Sequence, residues 1–194
     1  LIITAIIGVE SNYGHYTGTH NVKQALATIL SQLSDHETID VGLPNNRHEI
    51  EMVTVNRKDF FTNELVTLLQ LEHQKGLNTG QLNGSWDGGI GLPQFMPSSY
   101  AEYAMSSVRS FPDLFDPDDA IESVAHYLKE RGQWQNGEVA QSLDPNEVQH
   151  RLFKHKNHYD EAPNQSVYRF LLADGQYEYW RTFHNFKSIM TYNT

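Results

Sequence analysis

The stretch "FDPDDAIESVAHYLKERG", from Phe115 to Gly132, constrains the fold most, because its local signals agree. Asp116 suits an N-cap, Pro117 fits the first helical position, Asp118 and Asp119 complement the helix dipole, and Gly132 suits the stop. The spacing predicts a helix whose core stripe is Ile121, Val124, Ala125 and Leu128. Helical spacing recurs in "VKQALATILSQL" and in "FFTNELVTLLQLEHQKG", where Leu65, Leu68, Leu69 and Glu72 define the expected face and Gly76 the end. Pro97 can start a further helix because its missing N–H falls where no intrahelical bond forms. Late in the chain, "VYRFLLADGQYEYW" reads as two strands turning at Asp174-Gly175. The class is therefore mainly helical, with a small β-hairpin element.

The opening run "LIITAIIGVESNYG" is a second constraint. Ile3, Ile6, Ile7 and Glu10 fall at i, i+3, i+4 and i+7, so a helix would place a carboxylate at the end of its apolar stripe. Ile, Val and Thr also suit a strand, but "VESNYG" lacks alternation and Gly14 suits a helix end. A carboxyl group in such a place loses solvation when charged, which favours its protonated form. That is what the general acid of glycosidic cleavage requires. A helix-end acid that merely turns to solvent or caps a loop fits the same residues.

With 194 residues, 39% hydrophobic and 20% charged, the chain suits one globular domain over 1–194, or one core with a smaller lobe. The polar stretch around 34–52, punctuated by Gly-Leu-Pro-Asn-Asn, reads as an insertion or loop. A formal charge of −10 with no Lys/Arg run argues against nucleic acid as a partner. No cysteine is present, so thiolate metal sites and disulfides are excluded. No apolar run reaches the roughly 18 residues of a membrane span. The abrupt apolar start suggests that upstream residues, including a targeting segment, precede this sequence.

In "NGSWDGGIGLPQFMPSSY" the glycines let backbone approach a ligand, and Ser85 and Gln94 supply hydrogen bonds. The stretch lacks the Gly-Lys-Ser/Thr ending of a phosphate cradle, and a tight connector would use the same residues. Trp86, Phe95, Tyr100, Tyr103, Tyr127 and Trp134 suit either sugar faces or core. His150, His155 and His158 are close together but lack an acidic partner at a metal-binding spacing. Asp116, Asp118 and Asp119 lack the glycine and final glutamate of a calcium loop.

Taken in order, "IIGVESNYG", "GIGLPQFMPSSY", "DPDDAIESVAHYLKERG" and "FHNFKSIMTYN" closely resemble the MltB-type lytic transglycosylases, bacterial enzymes that cleave murein. The resemblance spans almost the whole chain. It implies a lysozyme-like α+β fold with a saccharide groove and cleavage between N-acetylmuramic acid and N-acetylglucosamine. It also implies a single catalytic carboxylate, matched by Glu10, and no cofactor. Carried over by position, Ser85 and Gln94 hold the N-acetyl group and the sugar, Tyr127 lines the groove, and Tyr192 with Asn193 closes the site. The implied partners are peptidoglycan glycan strands and cell-wall assembly proteins. The implied location is the periplasm or cell envelope, with membrane contact only through a leader or lipid anchor outside this sequence.

The chain departs from the family pattern in two places. Some members bind calcium between the helix after "MPSSY" and the "DP" motif, but here "MSSVRSFPDLF" holds Asp113 as its only carboxylate, so no calcium site is expected. Members often read "AMGYGQF" where this chain has "GIGLPQF", so Leu92 removes a ring and Pro93 alters the backbone before Gln94. Two rival readings remain. One is a lysozyme-class hydrolase in which Asp87 of "SWDGG" serves as a second carboxylate, and the other is a murein-binding module without turnover.

Overall fold

The computed structural model describes residues 1–33, 37–40, 52–55, 57–144, 153–154 and 166–193. These form two compact units, Leu1–Val124 and Ala125–Thr194, with the boundary inside one helix. The first unit opens with α1 (Ile2–Ser11), β1 (His20–Asn21) and α2 (Val22–Gln32). It continues with a hairpin of β2 (Glu37–Asp40) and β3 (Met52–Val55), then α3 (Arg57–Lys75), β4 (Asn83–Gly84), α4 (Pro97–Tyr103) and the first part of α5 (Pro117–Glu130). Val22, Leu26, Leu68, Ile90, Leu114 and Val124 are its largest fully buried apolar side chains.

The first segment is a helix, as its spacing predicts, with Ile6 and Ile7 buried. It ends at Ser11, and Asn12, Tyr13 and Gly14 then follow in left-handed backbone with φ of 48°, 57° and 86°. The amides of Asn12 and Tyr13 return to the Gly8 and Ile7 carbonyls, which satisfies the last turn. The chain thus turns sharply just after Glu10.

Two expected faces are shifted. On α3 the buried residues are Phe61, Glu64, Leu68 and Leu71, while Leu69 is 42% exposed. A polar residue on the buried face misled the pattern. Glu64 is only 3% exposed, and its two oxygens accept from the Ser98 amide at 2.8 Å and the Ser98 hydroxyl at 2.7 Å. It therefore caps α4, whose own N-cap Met96 has no side-chain acceptor. Glu64→Ala should cost about 1–3 kcal/mol in urea unfolding, because a buried donor is left unmade. Glu64→Gln, which keeps an acceptor oxygen, should cost less.

On α5 the inward residues are Ala120, Ser123, Val124, Tyr127 and Leu128, whereas Ile121 is 46% exposed and Ala125 is also exposed. Asp116 caps the helix as expected, accepting from the Asp118 amide at 2.9 Å. Buried Asp119 accepts from Arg109 at 2.7 Å and from the Asp113 amide at 2.8 Å, and Arg109 also reaches Asp116 at 2.8 Å. A guanidinium thus joins the segment "MSSVRSFPDLF" to the start of α5. Among the described residues, no cluster of three or more His, Asp or Glu side chains is arranged to hold a metal ion.

In the second unit, β5 (Ala140–Leu143), β6 (Phe153–Lys154), β7 (Ser166–Leu171) and β8 (Tyr177–Thr182) form a sheet in the order β5-β8-β7-β6. The expected hairpin at Asp174-Gly175 is its antiparallel β7–β8 pair. The β element is larger than one hairpin, because β5 adds antiparallel to β8 and β6 parallel to β7. Helix α6 (His184–Met190) and a 3-10 turn (Thr191–Asn193) close the unit. Asn185 anchors the segment before β5, accepting from the Gln135 amide and donating to the Gln135 and Gly137 carbonyls. Within the stretch 34–52, Glu37–Asp40 and Met52 are strand residues, and the remainder lies outside the described residues, as do His150, His155 and His158.

Candidate active site

The site is built on the loop that follows β4. Ser85 and Gly89 close a tight turn: the Ser85 amide donates to the Gly89 carbonyl at 2.9 Å, and the Gly89 amide donates to Ser85 Oγ at 2.7 Å. Ile90 and Phe95 then pair through both backbone bonds, which forces Gly91–Leu92–Pro93–Gln94 into a four-residue turn. Gln94 sits at φ 52°, a left-handed conformation that a non-glycine residue adopts only when its surroundings demand it. Its Nε2 donates to the Gly91 carbonyl at 2.6 Å and the Thr17 carbonyl at 3.3 Å. Only the amide nitrogen can face two carbonyls, so Oε1 is the atom left for a ligand.

The segment after Glu10 packs on this loop. Leu92 lies against Gly14, and the Thr17 carbonyl holds Gln94. Gly18 meets Gly84 so closely that a Cβ would stand 1.9 Å from the Gly84 oxygen and 2.3 Å from the Ser85 amide nitrogen. The loop and the end of α1 are thereby fixed to one another.

Glu10 is half-buried, and its carboxyl pKa is raised above the ordinary 4.5. Burial is the larger cause, and the negative charge of Asp87 adds to it. Asp87 accepts the Ser85 hydroxyl at 2.5 Å. Glu10, Ser85, Asp87 and Gln94 are thus linked within the first unit through this loop and the segment that packs on it. The sequence offers Asp87 as the second carboxylate of a hydrolase, and its bond to Ser85 is a role the motif does not reveal. The i, i+2, i+4 spacing of Ser85, Asp87 and Gly89 was the available signal, since hydroxyl and carboxylate side chains close turns at such offsets.

The other expected site residues lie in the second unit. Tyr127 is 7% exposed, donates its hydroxyl to the Thr191 carbonyl at 2.6 Å, and meets Tyr192 edge-on with ring centres 5.1 Å apart. Asn193 belongs to the adjoining 3-10 turn. Of the other aromatics, Phe95, Tyr100 and Tyr103 are buried, whereas Trp86, between Ser85 and Asp87, is 65% exposed. A pocket of about 290 Å³ is lined by Ile90, Tyr100, Phe111, Leu114 and Phe115 among others, but not by Glu10, Ser85 or Gln94, so the candidate chemistry lies outside it.

The family description "Transglycosylase SLT domain" matches residues 1–194. The chain is 31% identical over 209 residues to the membrane-bound lytic murein transglycosylase B of Escherichia coli strain K12, covering 99% of this chain and 52% of that protein. Among solved structures it resembles the E. coli lytic transglycosylase SLT35 in complex with calcium, with TM-score 0.71 and 30% identity over 99% of this chain and 60% of that one. The soluble lytic transglycosylase SltB1 of Pseudomonas aeruginosa gives TM-score 0.67 and 32% identity over 99% and 63%. The chain therefore spans between about half and two thirds of the length of these relatives. Its mainly helical, lysozyme-like α+β fold is theirs, and with the full-length family match it shows that the chain belongs to the transglycosylase SLT domain family.

Proposed function

We propose that this chain is the catalytic part of a lytic transglycosylase of the bacterial cell envelope. It would cleave the β-1,4 bond between N-acetylmuramic acid and N-acetylglucosamine in peptidoglycan and leave 1,6-anhydro ends. The observation that carries the reading is the half-buried Glu10, its carboxyl held toward the protonated form beside the Ser85–Gln94 loop. Family membership and the similarity to murein transglycosylase B support the substrate class.

In the proposed reaction Glu10 gives its proton to the glycosidic oxygen as the bond to C1 breaks. The developing charge at C1 is sheltered by the substrate's own N-acetyl group. The Glu10 carboxylate then takes the proton of the muramoyl C6 hydroxyl as O6 bonds to C1, which closes the anhydro ring and restores the acid. Ser85 and Gln94 hold the sugar, and Tyr127, Tyr192 and Asn193 are proposed as further saccharide-binding residues, carried by the second unit. Mass analysis of products from purified sacculi tests this, because anhydro ends are lighter than hydrolysed ends by one water. Hydrolysed ends would instead favour the two-carboxylate reading, for which the closeness of Asp87 to Glu10 speaks.

A pH dependence follows. Activity should fall as pH rises through the raised pKa of Glu10, since only the protonated form can donate. Asp87→Asn removes the second cause of that rise while keeping an oxygen for Ser85. The falling limb of the pH–rate profile should move to lower pH in this variant, and an unmoved limb would refute the coupling.

A further inference from the structure

The hydrogen-bonding capacity on this loop is almost fully spent, and what is left has one polarity. A serine hydroxyl has one proton and two lone pairs. Ser85 places its proton on Asp87 at 2.5 Å and accepts the Gly89 amide at 2.7 Å. Its remaining capacity is a single lone pair. Gln94 has placed its amide nitrogen on the Thr17 and Gly91 carbonyls, so its free atom is an acceptor as well. The two oxygens converge over Gly89: a Cβ on that residue would stand 2.7 Å from Ser85 Oγ and 2.9 Å from Gln94 Oε1. Any side chain at this position would crowd both oxygens, and glycine avoids that.

We propose that Asp87 is a positioning residue which, by taking the Ser85 proton, turns that hydroxyl into an acceptor, so that Ser85 Oγ and Gln94 Oε1 together receive an N–H or O–H donor of the sugar. The inference rests on the saccharide reading above and deepens it, because it states the polarity of the substrate group and the residue that sets it. The amide N–H of a 2-acetamido sugar is a donor of the required kind. With an apolar side chain at Asp87, the Ser85 hydroxyl would keep only the long 3.4 Å contact to the Gly89 carbonyl, and its proton could turn toward the ligand and meet a donor with a donor, which is repulsive. The carboxylate fixes the rotor because a charge-assisted hydrogen bond is about twice as strong as a neutral one.

The test is titration of the whole chain with tetra-N-acetylchitotetraose, with fragment release from sacculi measured in parallel. Asp87→Ala should weaken binding by roughly tenfold, the loss of one well-made hydrogen bond, while Asp87→Asn, which still offers an oxygen to the Ser85 proton, should stay within about threefold of the parent. Asp87 acts through Ser85, so in a Ser85→Ala background Asp87→Ala should add nothing further. A structural role would show as multiplying losses and as a lowered Tm in Asp87→Ala. Binding by Asp87→Ala equal to that of the parent, or losses that multiply in the double variant, would overturn the proposal and leave the transglycosylase reading standing. A parent chain that neither binds the tetrasaccharide nor releases fragments would overturn both.

Discussion

Glu10→Gln is expected to lower glycan cleavage by about 10²–10⁴-fold, the usual contribution of a positioned general acid, and at the same time to make the fold more stable near neutral pH. The first half follows from the missing proton. The amide keeps the size and shape of the carboxyl but has no acidic hydrogen to give to the leaving oxygen. The second half follows from linkage. The carboxyl pKa is raised in the folded chain, by burial first and by Asp87 second, so the ionised form is less favourable there than in the unfolded chain. That penalty is absent below the unfolded value near 4.5, grows as pH rises above it, and is complete above the raised folded value. Glutamine never incurs it. Thermal unfolding should therefore show a higher Tm for the variant than for the parent at about pH 7 and convergence at about pH 4. A variant that is inactive and also less stable at neutral pH would show that Glu10 serves the fold as well as the chemistry.

The second large effect is expected at Gly18. Its φ of 90° lies in the region that side chains rarely adopt, and a Cβ would stand 1.9 Å from the Gly84 oxygen and 2.0 Å from its carbonyl carbon. Backbone cannot turn aside as a flexible side chain would. Gly18→Ala must therefore push β1 away from the residue that begins the Ser85 loop, in addition to straining its own backbone. The expected loss exceeds about 4 kcal/mol, in the range that single substitutions reach only through strain or steric conflict. Chemical denaturation measures it, and any folded remainder should bind saccharide poorly because Ser85 is displaced. A loss under about 1 kcal/mol would mean that the two segments are not held at this spacing.

What the amino-acid sequence determined by itself is what short-range physics decides. The Asp116 cap, the Pro97 start, the Asp174-Gly175 turn and the helical run that ends in Glu10 each depend on neighbours within a few residues. Periodicity located the helices of the first unit but not always their inner faces. Leu69 and Ile121 fit an apolar stripe yet face solvent, while Glu64 and Ser123 are buried because each finds a partner far along the chain. The candidate site divides in the same way. Glu10, Ser85 and Gln94 could be named from their motifs, and the bond from Ser85 to Asp87 is local, two residues apart, but the grip of Thr17 on Gln94 and the close approach of Gly18 to Gly84 arise only where separate segments meet. Hydrogen-bond polarity and desolvation are set by distances of a few ångströms between groups up to 77 residues apart, and a linear pattern carries no such distances.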